Sequence, residues 1–269
     1  NTNVGTATIT ITGKGNYNGT RTTTFAITPA PLTITADDKS KEFGAVDPAL
    51  TVSYAGFVNG EDEQDLAGTL VISRATGESV ATYAITASGF TATNYAITYV
   101  AGTFTITSKS IADTAITVSP ISDLVYNGTA QTPSPEVKDG TTVLTKDTDY
   151  ELSYAANTNV GTATITITGK GNYNATGTVT FDITPAPLTI TADDKSKEFG
   201  AADPALTVSY AGFVNNETAT ALGGTLAISR ATGEAANIYA ITASGFTATN
   251  YAITYVAGTF TITSKSIAD

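Results

Sequence analysis

The sequence contains no cysteine, histidine, methionine or tryptophan. Without cysteine and histidine it has no thiolate nucleophile, no imidazole base and no soft or nitrogen metal ligand, so site chemistry is confined to oxygen ligands, paired carboxylates or a Ser–Lys couple. No disulfide is available to report on compartment. Positive charge is also scarce, with 13 Lys and Arg against 24 Asp and Glu and a formal net charge of −11. Such a balance repels phosphate backbones and anionic membrane surfaces, so no nucleic-acid partner is expected. No apolar run approaches the ~18 residues that span a bilayer, so no membrane insertion is expected in this segment. Asn1 opens inside a repeat and not on a signal peptide, and the chain reads as an excerpt of something longer.

What is present is repetition. The stretch Tyr95–Thr107, YAITYVAGTFTIT, recurs letter for letter at Tyr251–Thr263. Its apolar residues occupy alternate positions, Tyr95, Ile97 and Tyr99, then Phe104 and Ile106 after a Val-Ala-Gly break, which predicts a strand, a turn and a strand closing each module as a hairpin. Residues 1–113 align without gaps to residues 157–269, and residues 114–156 occur once. The repeat therefore holds two unlike units. An A unit is complete at 108–184 and present as a C-terminal fragment at 1–28. A B unit fills 29–107 and 185–263, and 264–269 would open a further A.

Period-2 alternation makes the whole chain all-β: a tandem array of small β-sandwich or β-grasp-like domains with at most a short helical turn per B. In A, strands are expected around Ile116–Val118, Leu124–Tyr126, Val143–Leu144, Tyr150–Tyr154, Ala163–Ile167 and Val179–Ile183, punctuated by Asn127-Gly128, Asp139-Gly140 and Gly169–Asn172. The helical turn of B is expected at Glu61–Leu66, where acidic residues precede a leucine. Thr28-Pro-Ala-Pro-Leu32 and Thr184-Pro-Ala-Pro-Leu188 fix φ twice at each A-to-B joint and predict a stiff, extended connection, whereas Ser108–Asp113 has no proline and should bend more.

The two copies differ at sixteen aligned positions, eleven of them within Gly60–Thr82, which reads as exposed loop. One swap turns Asn59-Gly60 into Asn215-Asn216, and asparagine is the residue after glycine that best tolerates φ > 0, so that turn should survive.

Unit B carries Lys41-Glu-Phe-Gly44 with Pro48, then Gly56-Phe-Val-Asn-Gly60, Tyr83-Ala-Ile85, Asn94-Tyr-Ala-Ile-Thr-Tyr99 and Gly102-Thr-Phe-Thr-Ile106. This pattern resembles the MBG-type repeats of large bacterial surface proteins and haemagglutinin-like adhesins, over nearly all of B and in both copies. Unit A, with Val125-Tyr-Asn-Gly128, Asp149-Tyr150, Asn159-Val-Gly161 and Gly169-Lys-Gly-Asn-Tyr173, is similar to the YDG-like and Ig-like stalk repeats that accompany such modules. The resemblance implies an extracellular, multi-module β stalk at a bacterial cell surface, without catalytic residues. The chain contains no sortase motif, S-layer module or secretion domain, so no anchor is read from it.

Several constellations compete with that reading. Glu61, Asp62, Glu63 and Asp65 have the right oxygen chemistry for calcium, but the second copy keeps only Glu217 against Thr218, Ala219 and Ala221, which favours a solvated loop. Asp37, Asp38, Asp193 and Asp194, kept in both copies at a strand end, are the better calcium candidates, with ordinary turn chemistry competing; apart from this calcium no cofactor is expected. An isopeptide bond would draw on Lys41 or Lys197 with Asn94 or Asn250 beside Glu42 or Glu198, against the simpler reading of Lys-Ser-Lys-Glu as a solvent-facing strand. No enzyme is expected, because the carboxylates lie mostly at turns and in variable loops. The Asn-x-Thr sequons at Asn18, Asn127, Asn174 and Asn216 read as Thr-rich turns.

Most tyrosines fall on apolar strand faces, which leaves Gly-Asn-Tyr at 15–17 and 171–173 as the exposed aromatic tip for ligand contact. Host glycan or protein is accordingly the alternative partner of the repeats. Residues 1–28 hold the last strands of an A unit, so Ala7, Ile9, Ile11, Phe25 and Ile27 lack their own partner sheet. The fragment should then be held against the neighbouring B or by strand pairing with another chain.

Overall fold

Thr alternates with Ile, Val, Tyr or Phe through most of the sequence, and β-branched and aromatic residues favour a pleated, half-buried surface. The computed structural model describes residues 2–267; Asn1 and the last two positions of the 264–269 segment lie outside it. Among the described residues there are 25 strands and two 3₁₀ turns, and no α-helix. Chain contacts group into two units: Asn1–Ser110 with Gly169–Asn174, and Ile111–Thr168 with Ala175–Asp269. Each is taken by itself.

The first unit opens with β1 (Gly5–Thr12) and β2 (Thr20–Ile27), an antiparallel pair that finds no third strand among the described residues. Ala7 is buried, while Ile9, Ile11 and Phe25 stay about half exposed. Then come β3 (Ala30–Ala36), β4 (Lys39–Glu42), β5 (Val52–Ala55), β6 (Ala67–Arg74), β7 (Ala81–Thr91), β8 (Tyr95–Val100), β9 (Gly102–Thr107) and β10 (Lys109–Ser110). They form a three-stranded sheet, β5-β3-β8, and a four-stranded sheet, β4-β9-β7-β6.

The closing stretch is not a hairpin. β8 pairs in parallel with β3 in one sheet, and β9 pairs in parallel with β4 in the other. Two long strands therefore run side by side and pass together from the first sheet to the second, turning at Asp37-Asp38 and at Ala101. A corner of this kind is how a strand serves both sheets of a sandwich. The Val-Ala-Gly break shifts the apolar phase from odd to even positions, which is what a change of sheet demands, and period-2 spacing alone does not separate that from a hairpin. Gly102 sits at the close approach: a Cβ there would lie 2.3 Å from the Ala36 carbonyl oxygen.

The buried residues divide accordingly. Leu32, Ile34, Leu66 and Tyr95 form one cluster, and Ala36, Ile85, Phe104 and Ile106 the other. The expected helical turn is a 3₁₀ turn at Glu63–Asp65, in which the Asp62 carboxylate accepts from Gln64 N at 2.8 Å and Asp65 accepts from Asp62 N at 2.9 Å.

The second unit contains β11 (Ile116–Val118), β12 (Leu124–Val125), β13 (Val137–Asp139), β14 (Thr142–Val143), β15 (Tyr150–Ala155), β16 (Gly161–Gly169), β17 (Tyr173–Asn174), β18 (Thr176–Thr184), β19 (Ala186–Ala192), β20 (Lys195–Glu198), β21 (Val208–Ala211), β22 (Gly223–Arg230), β23 (Ile238–Thr247), β24 (Tyr251–Val256) and β25 (Gly258–Thr263). Of these, β17 and the adjoining tip, Gly169–Asn174, group with the first unit. A is built from β11-β13-β14 and β12-β18-β16-β15; B repeats the corner with β21-β19-β24 and β20-β25-β23-β22. Only Pro185 separates β18 from β19, so the joint is as extended as its prolines require.

That joint is also covered from inside. Tyr126, Ala163, Ile165, Phe181 and Ile183 of A form a single buried cluster with Ala186, Leu188, Ile190 and Tyr251 of B. The all-β sandwich array is what the chain forms, but here A and B share one core.

The variable segment needs one correction. Of the eleven differing positions in Gly60–Thr82, Ala67 and Val71 lie on β6 and Ala81 and Thr82 on β7, so the segment is not all loop. All eleven are nonetheless exposed. Solvent-facing strand positions tolerate change as loops do because they contribute little to the core.

Candidate functional site at the module junctions

In the second unit the Asn-Gly turn of A meets the Asn-Asn turn of B. Asn215 and Asn216 both hold positive φ, 51° and 60°, matching Asn59 and Gly60 at 55° and 79°, so the turn survives the swap. The turn presents Glu217. Its carboxylate accepts from the Tyr126 hydroxyl of A at 2.6 Å and from the Tyr251 hydroxyl of B at 2.5 Å, and the two rings meet edge to face at 5.6 Å. Asn215 Nδ2 donates to the Gly128 carbonyl at 3.0 Å. Gly128 (φ 77°) has no room for a side chain, since a Cβ would come 2.5 Å from that of Asn215. The bond to Glu217, reinforced by burial, pushes the Tyr126 phenol up to about 12.

A second clip sits beside it. Asn250 Oδ1 accepts from Val160 N at 3.0 Å, Asn250 Nδ2 donates to Asn159 Oδ1 at 3.1 Å, and the Asn250 carbonyl accepts from Ala186 N at 3.0 Å. One asparagine thus holds the start of β16, the start of β19 and its own strand.

The first unit repeats this clip: Asn94 accepts from Val4 N at 3.0 Å, donates to Asn3 at 3.2 Å and accepts from Ala30 N at 2.9 Å. The β1–β2 fragment is thus tied to B by a side chain, and among the described residues no strand of B extends its sheet. Glu61 accepts from Tyr95 here as Glu217 does from Tyr251. Of the acidic cluster Glu61, Asp62, Glu63 and Asp65, the one member kept in both copies is therefore the junction residue. Its three variable neighbours cap the 3₁₀ turn or face solvent, and Thr218 takes over the capping place of Asp62.

The end of A has its own seat. The tip Gly169–Asn174 lies against the first B, where β10 pairs in parallel with β17. Lys109 N donates to Asn172 O at 3.0 Å, Val80 N to Asn172 Oδ1 at 2.9 Å, and Asn174 Nδ2 to Ser108 Oγ at 2.6 Å. Tyr173 meets the Phe43 ring edge-on at 5.5 Å and is only 6% exposed. The expectation of an exposed Gly-Asn-Tyr tip therefore fails for Tyr173 and holds for Tyr17, at 80% exposure.

The chain folds into these junctions through its B units, and a family model described as MBG domain (YGX type) matches both, at residues 32–105 and 188–261. The chain belongs to the MBG family. No curated protein matches it in sequence. Among solved structures it is similar to the Sidekick-1 immunoglobulin domains 1–5, with 10% identity, 97% of this chain and 67% of that one covered, and a TM-score of 0.34. It is also similar to the human Desmocollin-1 ectodomain, with 12% identity, 91% and 62% covered, and a TM-score of 0.21. The chain thus spans about two thirds of the length of these structures, and likenesses at this level assign nothing further to the MBG modules.

The remaining candidates have structural partners in both MBG modules. Asp37 accepts from the hydroxyls of Thr51 and Ser53 on the β5 side, and Asp38 accepts from Thr103 N at 2.6 Å and Thr103 Oγ1 at 2.8 Å. Asp193 and Asp194 do the same with Thr207, Ser209 and Thr259. These bonds hold all four carboxyls below the usual range and tie the two strands together at the corner. Among the described residues no three acidic side chains converge on a metal position.

Lys41 is not solvent-facing: its side chain is 5% exposed, and its amine pairs with Asp47 at 2.6 Å and Glu78 at 2.5 Å. Arg74 pairs with the same two carboxylates and lies 4.8 Å from the Phe104 ring centroid. Asp47 and Glu78 raise the Lys41 pKa, the opposite of what a nucleophilic amine needs, and Asn94 is committed to the junction. The structure does not bring the isopeptide candidates together. Lys197, Asp203, Arg230 and Glu234 repeat the same neutral quartet.

Proposed function

We propose that these MBG modules and their A partners are non-catalytic stalk repeats of an extracellular bacterial adhesin, spacing a binding domain from the cell envelope. The observation that carries this reading is the A-to-B junction: a shared core, two prolines, an asparagine clip and a carboxylate between two phenols, all spent on fixing one module to the next. Surface character supports it as well. A binding module repeated for avidity would present the same apolar patch in each copy. Of the exposed large apolar residues in the two MBG modules, only Val100 and Val256 occupy equivalent positions, while Val46, Val71 and Val80 become alanine in the second copy.

The ion-pair quartet of each module is internal and balanced, with two cations against two anions. The reading is tested with the full chain on glycan arrays and in pull-downs from host-surface protein. No specific capture is expected. Saturable binding that is competed by a defined glycan or protein would make the modules adhesive in their own right and overturn the stalk.

A further inference from the structure

Composition leaves one-electron oxidation a single address on this chain. Cysteine, methionine, histidine and tryptophan are absent, so an oxidising equivalent that reaches the protein has its 13 tyrosines to act on. A phenol gives up an electron readily when its proton can leave along a hydrogen bond, because the radical cation left behind is a very strong acid. Coupling then needs a second phenol in ring contact.

The A-to-B junction of the second unit supplies both. Glu217 accepts from Tyr126 through one carboxylate oxygen at 2.6 Å and from Tyr251 through the other at 2.5 Å. Two hydroxyls that end on one carboxylate bring the hydroxyl-bearing ends of their rings together, and with them the carbons ortho to each oxygen. The ring centroids are 5.6 Å apart. Both residues are anchored in the core that A and B share, at 5% and 4% exposure, so the pair cannot drift apart. An open cleft of about 410 Å³, lined by both tyrosines, Glu217 and Asn250, admits a small oxidant to them. Both phenols titrate above their ordinary value, Tyr126 chiefly through Glu217 and Tyr251 chiefly through burial, so at neutral pH each still carries its proton. By contrast, the ring contacts of Tyr54, Tyr95 and Tyr210 are with phenylalanine.

We propose that Tyr126 and Tyr251 are a dityrosine cross-linking site, at which a peroxide-class oxidant acting in one-electron steps joins the two rings. Each phenol loses one electron and one proton, the first proton passing to Glu217 and onward to water in the cleft before the second phenol reacts. The two phenoxyl radicals form one carbon–carbon bond between ortho positions, and the hydrogens on those carbons return to the oxygens as the rings regain aromaticity. The two electrons cleave the oxygen–oxygen bond of the peroxide, which with hydrogen peroxide takes up both protons and leaves as two waters. The product fastens A to the MBG module covalently. A bond between residues so distant in sequence constrains the unfolded chain as a disulfide does, in a protein without cysteine.

The test is photo-oxidation of the full chain with a ruthenium tris-bipyridyl complex and persulfate, at low protein concentration so that chains do not meet. The monomer should lose the mass of two hydrogen atoms, gain the blue fluorescence of dityrosine, and yield on digestion a peptide joining Tyr126 to Tyr251. Tyr126→Phe and Tyr251→Phe each keep the ring and should abolish that product. Glu217→Gln keeps a side chain of the same shape between the phenols but takes no proton, and should lower the yield at least about tenfold. Tyr95, which donates to Glu61 but meets Phe57, should stay unlinked. A parent chain that loses no hydrogen overturns the proposal, as does a cross-link that maps to any other pair or a yield that survives Glu217→Gln undiminished. None of these results bears on the stalk reading, which is decided by ligand binding.

Discussion

Replacing Leu188 by alanine tests whether A and the MBG module behind it are one folding unit. Leu188 belongs to the second MBG module, is 1% exposed, and lies in the cluster that also holds Ala163, Ile165, Phe181 and Ile183 of A. Deleting three carbons from a buried leucine generally costs about 3–5 kcal/mol, the larger values arising where neighbours cannot collapse into the gap. Strands of two modules fix this site from both sides, so about 3 kcal/mol is a conservative figure. In native-state hydrogen exchange, that lowers protection by about two orders of magnitude wherever exchange requires the unit to open. The decisive amides are those of Ala163 and Ile165 on β16, which belong to a different module from the substitution. They should lose protection as much as those of Ile190 on β19. Leu32→Ala is the matched control: its cluster is confined to its own module, so only that module should respond. If Leu188→Ala weakens β19 and β24 but leaves Ala163 and Ile165 unchanged, A and B are independent beads and the shared-core reasoning is refuted.

Three further outcomes follow from the junction and its surroundings. The Tyr126 phenol, held near 12 against an ordinary 10, contributes stability that is present below pH 10 and is lost as pH rises through 12; Tyr126→Phe should flatten that alkaline limb in urea midpoints and remove one of the late-titrating phenols from an ultraviolet titration. Asp203, held near 2 by Arg230 and then Lys197 against an ordinary 3.8, contributes stability that is present above pH 4 and is lost as pH falls towards 2; unfolding midpoints of Asp203→Asn should lose that slope, and an unchanged slope would remove the quartet from the account. Ala175 sits at φ 60° where the first copy has Gly19 at 85°; left-handed strain of about 1–2 kcal/mol outweighs the roughly 0.4–1 kcal/mol that glycine loses in chain entropy, so Ala175→Gly should raise the thermal midpoint slightly.

Much of this was legible in the sequence, and the failures have physical causes. Period-2 alternation correctly marks Ala163–Ile167 and Val179–Ile183, because each buries one face. The same alternation is blind to which strand pairs with which, so Tyr95–Thr107 reads as a hairpin although its halves belong to different sheets. Lys39–Glu42 looks solvent-facing because charge is taken as exposure, yet Lys41 is covered and neutralised by carboxylates distant in sequence. Val137–Asp139 is too short and too plain to stand out. At the junction, the comparison of copies held the needed signal: among Glu61, Asp62, Glu63 and Asp65 only Glu61 persists, as Glu217. Its partner Tyr126 lies in a segment that occurs once, and nothing in one sequence pairs the two. Tyr173 fails as a ligand-contact residue for a related reason, because a turn tip is exposed only until another module covers it.

The corner in each MBG module has a mechanical consequence. The chain enters the first module at Ala30, paired with Tyr95, and leaves it at Thr107, paired with Glu42. Pulling on those two points draws β3 and β4 backwards and β8 and β9 forwards, along ladders whose bonds lie across the direction of pull. The six paired positions of β3 with β8 and the four of β4 with β9 are then sheared together and cannot be unzipped one at a time. Asp38, bonded to Thr103 where the strands turn, keeps the two ladders from sliding separately. A module stretched end to end in this way should yield abruptly at high force, whereas the β6–β7 arm, which carries six of the sixteen differences between copies, lies off the line of tension.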